Sequence, residues 1–294
     1  MRRRRMFFTV LAALALVAGG CGDDDDDEAG GEDGDAPPVY TIKATDAGEG
    51  QATFTVPSDM TGGVITIRLQ NDGRNPHDFQ LAEAVPGHTL QELLAQVSSE
   101  EAPLEEWVVA AGGVGATAPG QANEATLDLE PGTYWYFSTE SSGEGEESVP
   151  DAAAGMAGEL TLTGDSGAEF PDTSAEIGAK DYSFDLDGLE EGDNSIEFSN
   201  EGKQLHHALL VPVAAGKTFE DAKNALLSEE EPEGPPPVDF EKAVATPVVN
   251  PGTRMVANIP LTKGTYVVVC FLPDKGTAGP PHAAKGMISE LQVG

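Results

Sequence analysis

Internal repetition limits the fold of this chain more than any single residue does. Asn71-Asp-Gly73 is followed by His77, six residues after its Asn, and Asn200-Glu-Gly202 is followed by His206 at the same interval. Pro119-Gly120 returns as Pro251-Gly252, and Gly132-Thr-Tyr134 as Gly264-Thr-Tyr266. The longest match sets Pro150-Asp151-Ala-Ala-Ala-Gly-Met156 beside Pro281-His282-Ala-Ala-Lys-Gly-Met287. A period of about 130 residues is too long for a solenoid and suits two tandem domains of ordinary size.

Each copy reads as a series of short strands. Val64 to Leu69, Ala125 to Leu129 and Thr133 to Phe137 are apolar or alternating, with Gly, Pro, Asn and Asp between them. Ser195 to Phe198, His207 to Val211, Met255 to Ile259 and Tyr266 to Phe271 repeat the pattern. One helical stretch interrupts each copy, Leu90 to Val97 and Phe219 to Leu227, with Thr89 and Thr218 placed as N-caps. Phe219, Ala222 and Leu226 share one helix face. The pattern predicts an all-β chain of two tandem Greek-key β-sandwich domains, each with one short helical insertion. The domains are expected over 39–164 and 176–294, joined by a linker at 165–175, with an acidic surface excursion from Ser228 to Pro237.

The N-terminus reads as an address. Arg2 to Arg5 precede a short apolar run, Met6 to Ala18, which is too short to span a bilayer comfortably and predicts a signal peptide over 1–20. Val17-Ala-Gly-Gly-Cys21 resembles a bacterial lipobox, which implies a lipid on Cys21; ordinary cleavage nearby is the alternative. Arg4-Arg5-Met6-Phe7-Phe8 also resembles a twin-arginine export signal. Residues 21–38 are almost all Gly, Asp, Glu, Ala and Pro after the cysteine, which predicts an extended tether at a membrane surface. A formal charge of −35 argues against a nucleic-acid partner, because phosphate binding needs Lys and Arg.

The only other cysteine is Cys270, and with Cys21 lipidated it has no disulfide partner. An unpaired thiol in an exported protein calls for burial or metal ligation. Cys270 closes an apolar strand, His282 follows after eleven intervening residues, and Met287 comes after four more. His206 lies upstream, with His207 as a rival. Alternation along the strand sets these two histidines on opposite faces and favours His206. In the first copy Ser138 and Asp151 stand where Cys270 and His282 would be, while His77 and Met156 persist, so no thiolate site is expected there.

In these residues the second copy resembles the cupredoxins, the family of plastocyanin, azurin and the copper domains of nitrite reductase. The resemblance implies type 1 copper held by His206, Cys270, His282 and the axial Met287. It further implies one-electron transfer with a redox protein partner at the outer face of a membrane or in the periplasm, and His282 as the edge through which electrons leave. A copper-free or copper-sequestering surface module is the alternative. Small electron carriers of the family have two to four residues between the cysteine and histidine. Closing eleven instead of four costs only about 0.9 kcal/mol of loop entropy. An enzyme is not expected: Cys270 is flanked by Val269 and Phe271, and of the five histidines, His77, His88, His206, His207 and His282, two are spent on the type 1 site, which leaves too few for a trinuclear cluster.

Overall fold

Apolar alternation decides where the strands lie, as in Gln51–Thr55, where Ala52 and Phe54 are buried and their neighbours exposed. The computed structural model describes residues 36–48, 51–99, 104–142, 149–228 and 234–294. The leader, Cys21, the tether up to residue 35 and part of the acidic excursion lie outside the described residues. The first repeat contributes β1 (Val39–Gly48), β2 (Gln51–Thr55), β3 (Thr61–Asn71), β4 (His77–Glu83), β5 (Ala110–Thr117), β6 (Ala122–Leu129), β7 (Gly132–Phe137), β8 (Ser141–Ser142), β9 (Val149–Pro150) and β10 (Ala157–Asp165). The second contributes β11 (Ala175–Lys180), β12 (Ser183–Asp187), β13 (Gly192–Asn200), β14 (Leu209–Pro212), β15 (Val244–Ala245), β16 (Arg254–Leu261), β17 (Gly264–Val269) and β18 (Ile288–Val293). Strand makes up 48% and helix 12% of the described residues, so the fold is all-β.

Each repeat packs two sheets face to face. In the first, β2-β1-β3-β6 covers β10-β7-β4-β5; in the second, β12-β11-β13-β16 covers β15-β14-β17-β18. Ile42, Ile65, Ile67, Leu69, Phe79 and Leu127 fill the first interior, and Ile177, Phe198, Leu210, Met255 and Val268 the second. Burying each such side chain contributes about 1.5–3 kcal/mol. The repeats join edge to edge, where β16 pairs antiparallel with β6 and Ala257 faces Ala125. Beside this seam the buried Gln80 donates from Nε2 to the Val248 carbonyl at 3.0 Å and accepts from the Val248 N–H at 2.9 Å.

Capping boxes fix the two longer helices, α1 (Leu90–Val97) and α2 (Phe219–Leu227). Thr89 Oγ1 accepts from the Glu92 N–H, and Thr218 Oγ1 from the Asp221 N–H, while each acidic side chain bonds back to the cap. The repeated Gly-Thr-Tyr also has a local cause. Tyr134 donates its hydroxyl to the Glu130 carbonyl at 2.9 Å, and the Tyr266 hydroxyl accepts from the Thr262 N–H at 3.0 Å, so each tyrosine ties its strand to the turn before it.

Candidate metal centre

Three pieces of local structure bring the functional side chains together. The first is the Asn-x-Gly turn. Asn200 Nδ2 donates to the carbonyls of Gln204 and Val249 at 2.8 and 3.1 Å, and its Oδ1 accepts from the Gly202 N–H at 2.9 Å. Asn71 makes the same three bonds with Asn75, Thr117 and Gly73. A Cβ on Gly202 would lie 2.8 Å from His206 Nε2, so the turn needs glycine to pass so close to the imidazole.

The second piece is a single helical turn. The Met287 N–H donates to the His282 carbonyl at 2.9 Å, and Gly286 closes the turn at φ 116°. In the first repeat the Met156 N–H donates to Asp151 at the same distance, with Gly155 at φ 120°. This turn fixes the spacing of the two positions, with four residues between them. The third piece is the end of β17, where the Cys270 N–H donates to the Met287 carbonyl at 3.2 Å and the Cys270 carbonyl accepts from the Ala283 N–H at 2.9 Å.

His206, Cys270 and His282 meet as a result. All three are fully buried, and one ligand atom from each lies within 4.8 Å of the others. Cys270 Sγ is 4.0 Å from His206 Nδ1 and 3.5 Å from His282 Nδ1, and the imidazole centroids are 4.8 Å apart at 63°. Both outer nitrogens meet carboxylates: His206 Nε2 lies 3.1 Å from Asp181 Oδ1, and His282 Nε2 lies 3.1 Å from Asp274 Oδ1. A carboxylate at Nε2 keeps the proton there and leaves the Nδ1 lone pair facing the thiol. Met287 is completely buried beside them. His207 stands apart, its Nε2 accepting from the Phe271 N–H at 3.3 Å, so it braces the cysteine segment.

The pocket holds neutral groups. Burial lowers His206 against the pull of Asp181. Burial, then the charge on His206, pushes His282 down to about 4. Burial pushes the Cys270 thiol up to about 12, although the N–H groups of His207 and Leu272 oppose it. Two imidazole lone pairs and one thiol therefore converge with no counter-charge of their own. That donor set suits a thiophilic transition metal, and its three-coordinate His₂Cys pattern with a nearby thioether fits copper.

The first repeat fills the same place differently. His77 Nδ1 bonds Asp151 Oδ2 at 2.6 Å, and its Nε2 lies 3.3 Å from Asp46 Oδ1. Burial would lower His77, but Asp151 and Asp46 outweigh it and raise its pKa. Ser138 Oγ donates to Asp78 Oδ1 at 2.7 Å, and Asp78 also accepts from Thr139 and Glu140. Burial raises Asp78. Burial, then the charges on Asp78 and Asp151, raises the half-buried Glu140 to about 8.

One expectation is corrected. His282 is not a solvent-facing edge: it has no exposed surface, and a cap of side chains covers it. Asp274 holds its Nε2, the Tyr182 hydroxyl donates to Asp274 Oδ1 at 3.0 Å, and Lys285 pairs with the same carboxylate. The Tyr182 ring meets His282 edge-on at 5.5 Å. Tyr182 has φ 71°, a left-handed conformation that costs a non-glycine residue roughly 1–3 kcal/mol. Asp181, Tyr182 and Asp274 are the site residues that sequence reasoning missed. Asp181 had one available signal, because the β1–β3 and β11–β13 registers set Asp46 and Asp181 at equivalent places.

No helix among the described residues is long and apolar enough to cross a membrane. The chain matches no protein-family profile and no curated protein. Among solved structures it is similar to auracyanin A, a "blue" copper protein of Chloroflexus aurantiacus, with 18% identity over 44% of this chain and 100% of that one and a TM-score of 0.32. Dithionite-reduced auracyanin of Roseiflexus castenholzii matches 44% of this chain and 100% of its own at 21% identity, TM-score 0.30. The copper nitrite reductase of Nitrosomonas europaea matches 88% of this chain and 94% of its own at 15% identity, TM-score 0.24.

Proposed function

We propose that this chain is an exported one-electron carrier with two cupredoxin-like domains, anchored to a membrane by lipid on Cys21, whose second domain holds one type 1 copper. The convergence of His206 Nδ1, Cys270 Sγ and His282 Nδ1 in a buried pocket carries this reading. Met287, buried beside them, would offer a thioether sulfur as a further ligand. Bound copper would supply one reversible electron.

The chain's own residues do the rest. Asp181 and Asp274 hold the imidazole protons on Nε2, so both Nδ1 lone pairs point inward before any metal arrives. The Cys270 thiol gives up its proton on ligation, which the N–H groups of His207 and Leu272 assist. Burial of all three ligands excludes water and limits rearrangement between oxidation states. The first repeat, where Asp151 occupies the His282 position, would carry no copper. The partner would be a redox protein, with no nucleic acid involved.

Copper sequestration is a second reading, and the closed cover over His282 favours it, because an electron carrier usually presents a ligand edge to its partner. Loading the chain with Cu(II) tests both readings. The electron-transfer reading expects one equivalent, an intense visible thiolate band absent from Cys270→Ser, and rapid re-reduction by a small reductant. An intense band with re-reduction over hours selects sequestration. A colourless chain, or one that takes zinc alone, sinks the copper reading.

A further inference from the structure

The loop from Cys270 to His282 is fastened to the other repeat. Lys275 Nζ donates to the Val108 carbonyl at 2.7 Å, and the Gly276 N–H donates to the Leu104 carbonyl at 2.7 Å. Gly276 sits at φ 69°, and a Cβ there would come within 2.7 Å of Glu106 Oε1. The Lys275 ammonium is half-buried; burial pulls its pKa down, against the opposing charge of Glu106. A cation removed from water is retained where fixed acceptors compensate it, and here one acceptor is a carbonyl of the first repeat. The residue immediately before Lys275 is Asp274, which meets His282 Nε2. Lys275 also donates its own N–H to Gln204 Oε1 at 2.9 Å, so the chain is held on both sides at this point.

We infer that the first repeat is the clamp of the metal loop: through the carbonyls of Leu104 and Val108 it keeps Asp274 on His282 and so fixes that imidazole's tautomer and direction. Asp274 is then a positioning residue, and the repeat without a thiolate has a task at its partner's pocket. The inference deepens the copper reading, on which its consequence for metal retention rests. The clamp itself is a property of the metal-free chain.

The test uses the full chain with ¹⁵N-labelled histidine. In the metal-free protein the His282 Nε2–H exchanges slowly with solvent. Asp274→Asn, Lys275→Met and Gly276→Ala are each expected to speed that exchange at least about tenfold without moving the unfolding midpoint enough to account for it. After copper loading, the same variants lose metal to a chelator about 10- to 100-fold faster, the usual effect of removing a residue that orients a ligand. Lys275→Met and Gly276→Ala both staying within twofold of the parent in His282 exchange would overturn the clamp, whatever Asp274→Asn does. Faster exchange in a chain that takes no copper upholds the clamp and removes the copper reading instead. Gly276→Ala keeps the test valid if Lys275→Met fails to fold, because it damages the same contact from an exposed position.

Discussion

Where Asp151 of the first repeat turns its carboxylate onto His77, the second repeat places His282, and the pocket that results has a different electrostatic character. The first pocket is closed by its own ion pair: His77 lies between Asp151 and Asp46, and Ser138 passes a hydrogen bond to Asp78. The second has two imidazole lone pairs and a thiol facing one another, and its carboxylates, Asp181 and Asp274, stand behind the rings. One frame, with the same Asn-x-Gly turn and the same helical turn before methionine, thus supports either an internal salt bridge or a set of converging donors. Two side chains decide between them, at 138/270 and at 151/282. A buried ion pair neutralises itself, whereas converging neutral donors reach their best energy with a cation among them.

The sharpest way to break this comparison is to convert one pocket into the other. His77 already directs Nδ1 inward with Nε2 on a carboxylate, as His206 does. Ser138→Cys combined with Asp151→His is therefore expected to raise copper uptake from one to two equivalents per chain, as elemental analysis after gel filtration would show. Uptake that stays at one would mean the frame differs in more than those two side chains.

Removing a single partner of the first pocket should cost stability and leave metal alone. Asp151→Ala takes from the buried His77 the nearer of its two carboxylates and leaves Asp46 alone at its other nitrogen; breaking a buried pair costs up to about 3–5 kcal/mol. Urea unfolding should record that loss while copper stoichiometry stays unchanged. A loss below about 1 kcal/mol would show that the ion pair does not hold the first pocket together.

Acidity distinguishes the repeats more gently. His77 has a folded pKa raised above 6.5, so its contribution is fully present below that value and is lost as pH rises through the folded one. Glu140 rises from 4.5 to about 8, so the folded state binds more protons than the unfolded chain between those values. Both signs agree above pH 6.5: the first repeat weakens as pH climbs from about 6.5 to 8. Thermal unfolding of the metal-free chain should show a falling midpoint from about pH 6.5 to 8, above the range in which His206 and His282, both lowered from 6.5, add stability as pH rises, and Glu140→Gln should flatten it. A midpoint that rises over the window contradicts the assignment.

Much of the frame was legible because its causes are local. Thr89 with Glu92 and Thr218 with Asp221 are capping boxes written in adjacent residues, and the helices begin where those boxes place them. The pairing of Ser138 with Cys270 and of Asp151 with His282 followed from the repeat, and the structure sets each pair at matching places against His77 and His206. What was not legible depends on distant packing. Asp274 is one of 51 acidic residues and gains its meaning only when the loop folds back over His282. The burial of His282 depends on Tyr182, about a hundred residues earlier, and the loop's attachment depends on Leu104 and Val108, which lie in the other repeat. No spacing rule links those positions.

Anomalous diffraction at the copper edge from crystals of the loaded chain tests the central claim most directly. The account predicts one strong peak per chain, between His206 Nδ1, Cys270 Sγ and His282 Nδ1, and none beside His77 and Asp151. A peak at the first pocket in the unaltered chain, or no peak at the second, would contradict it.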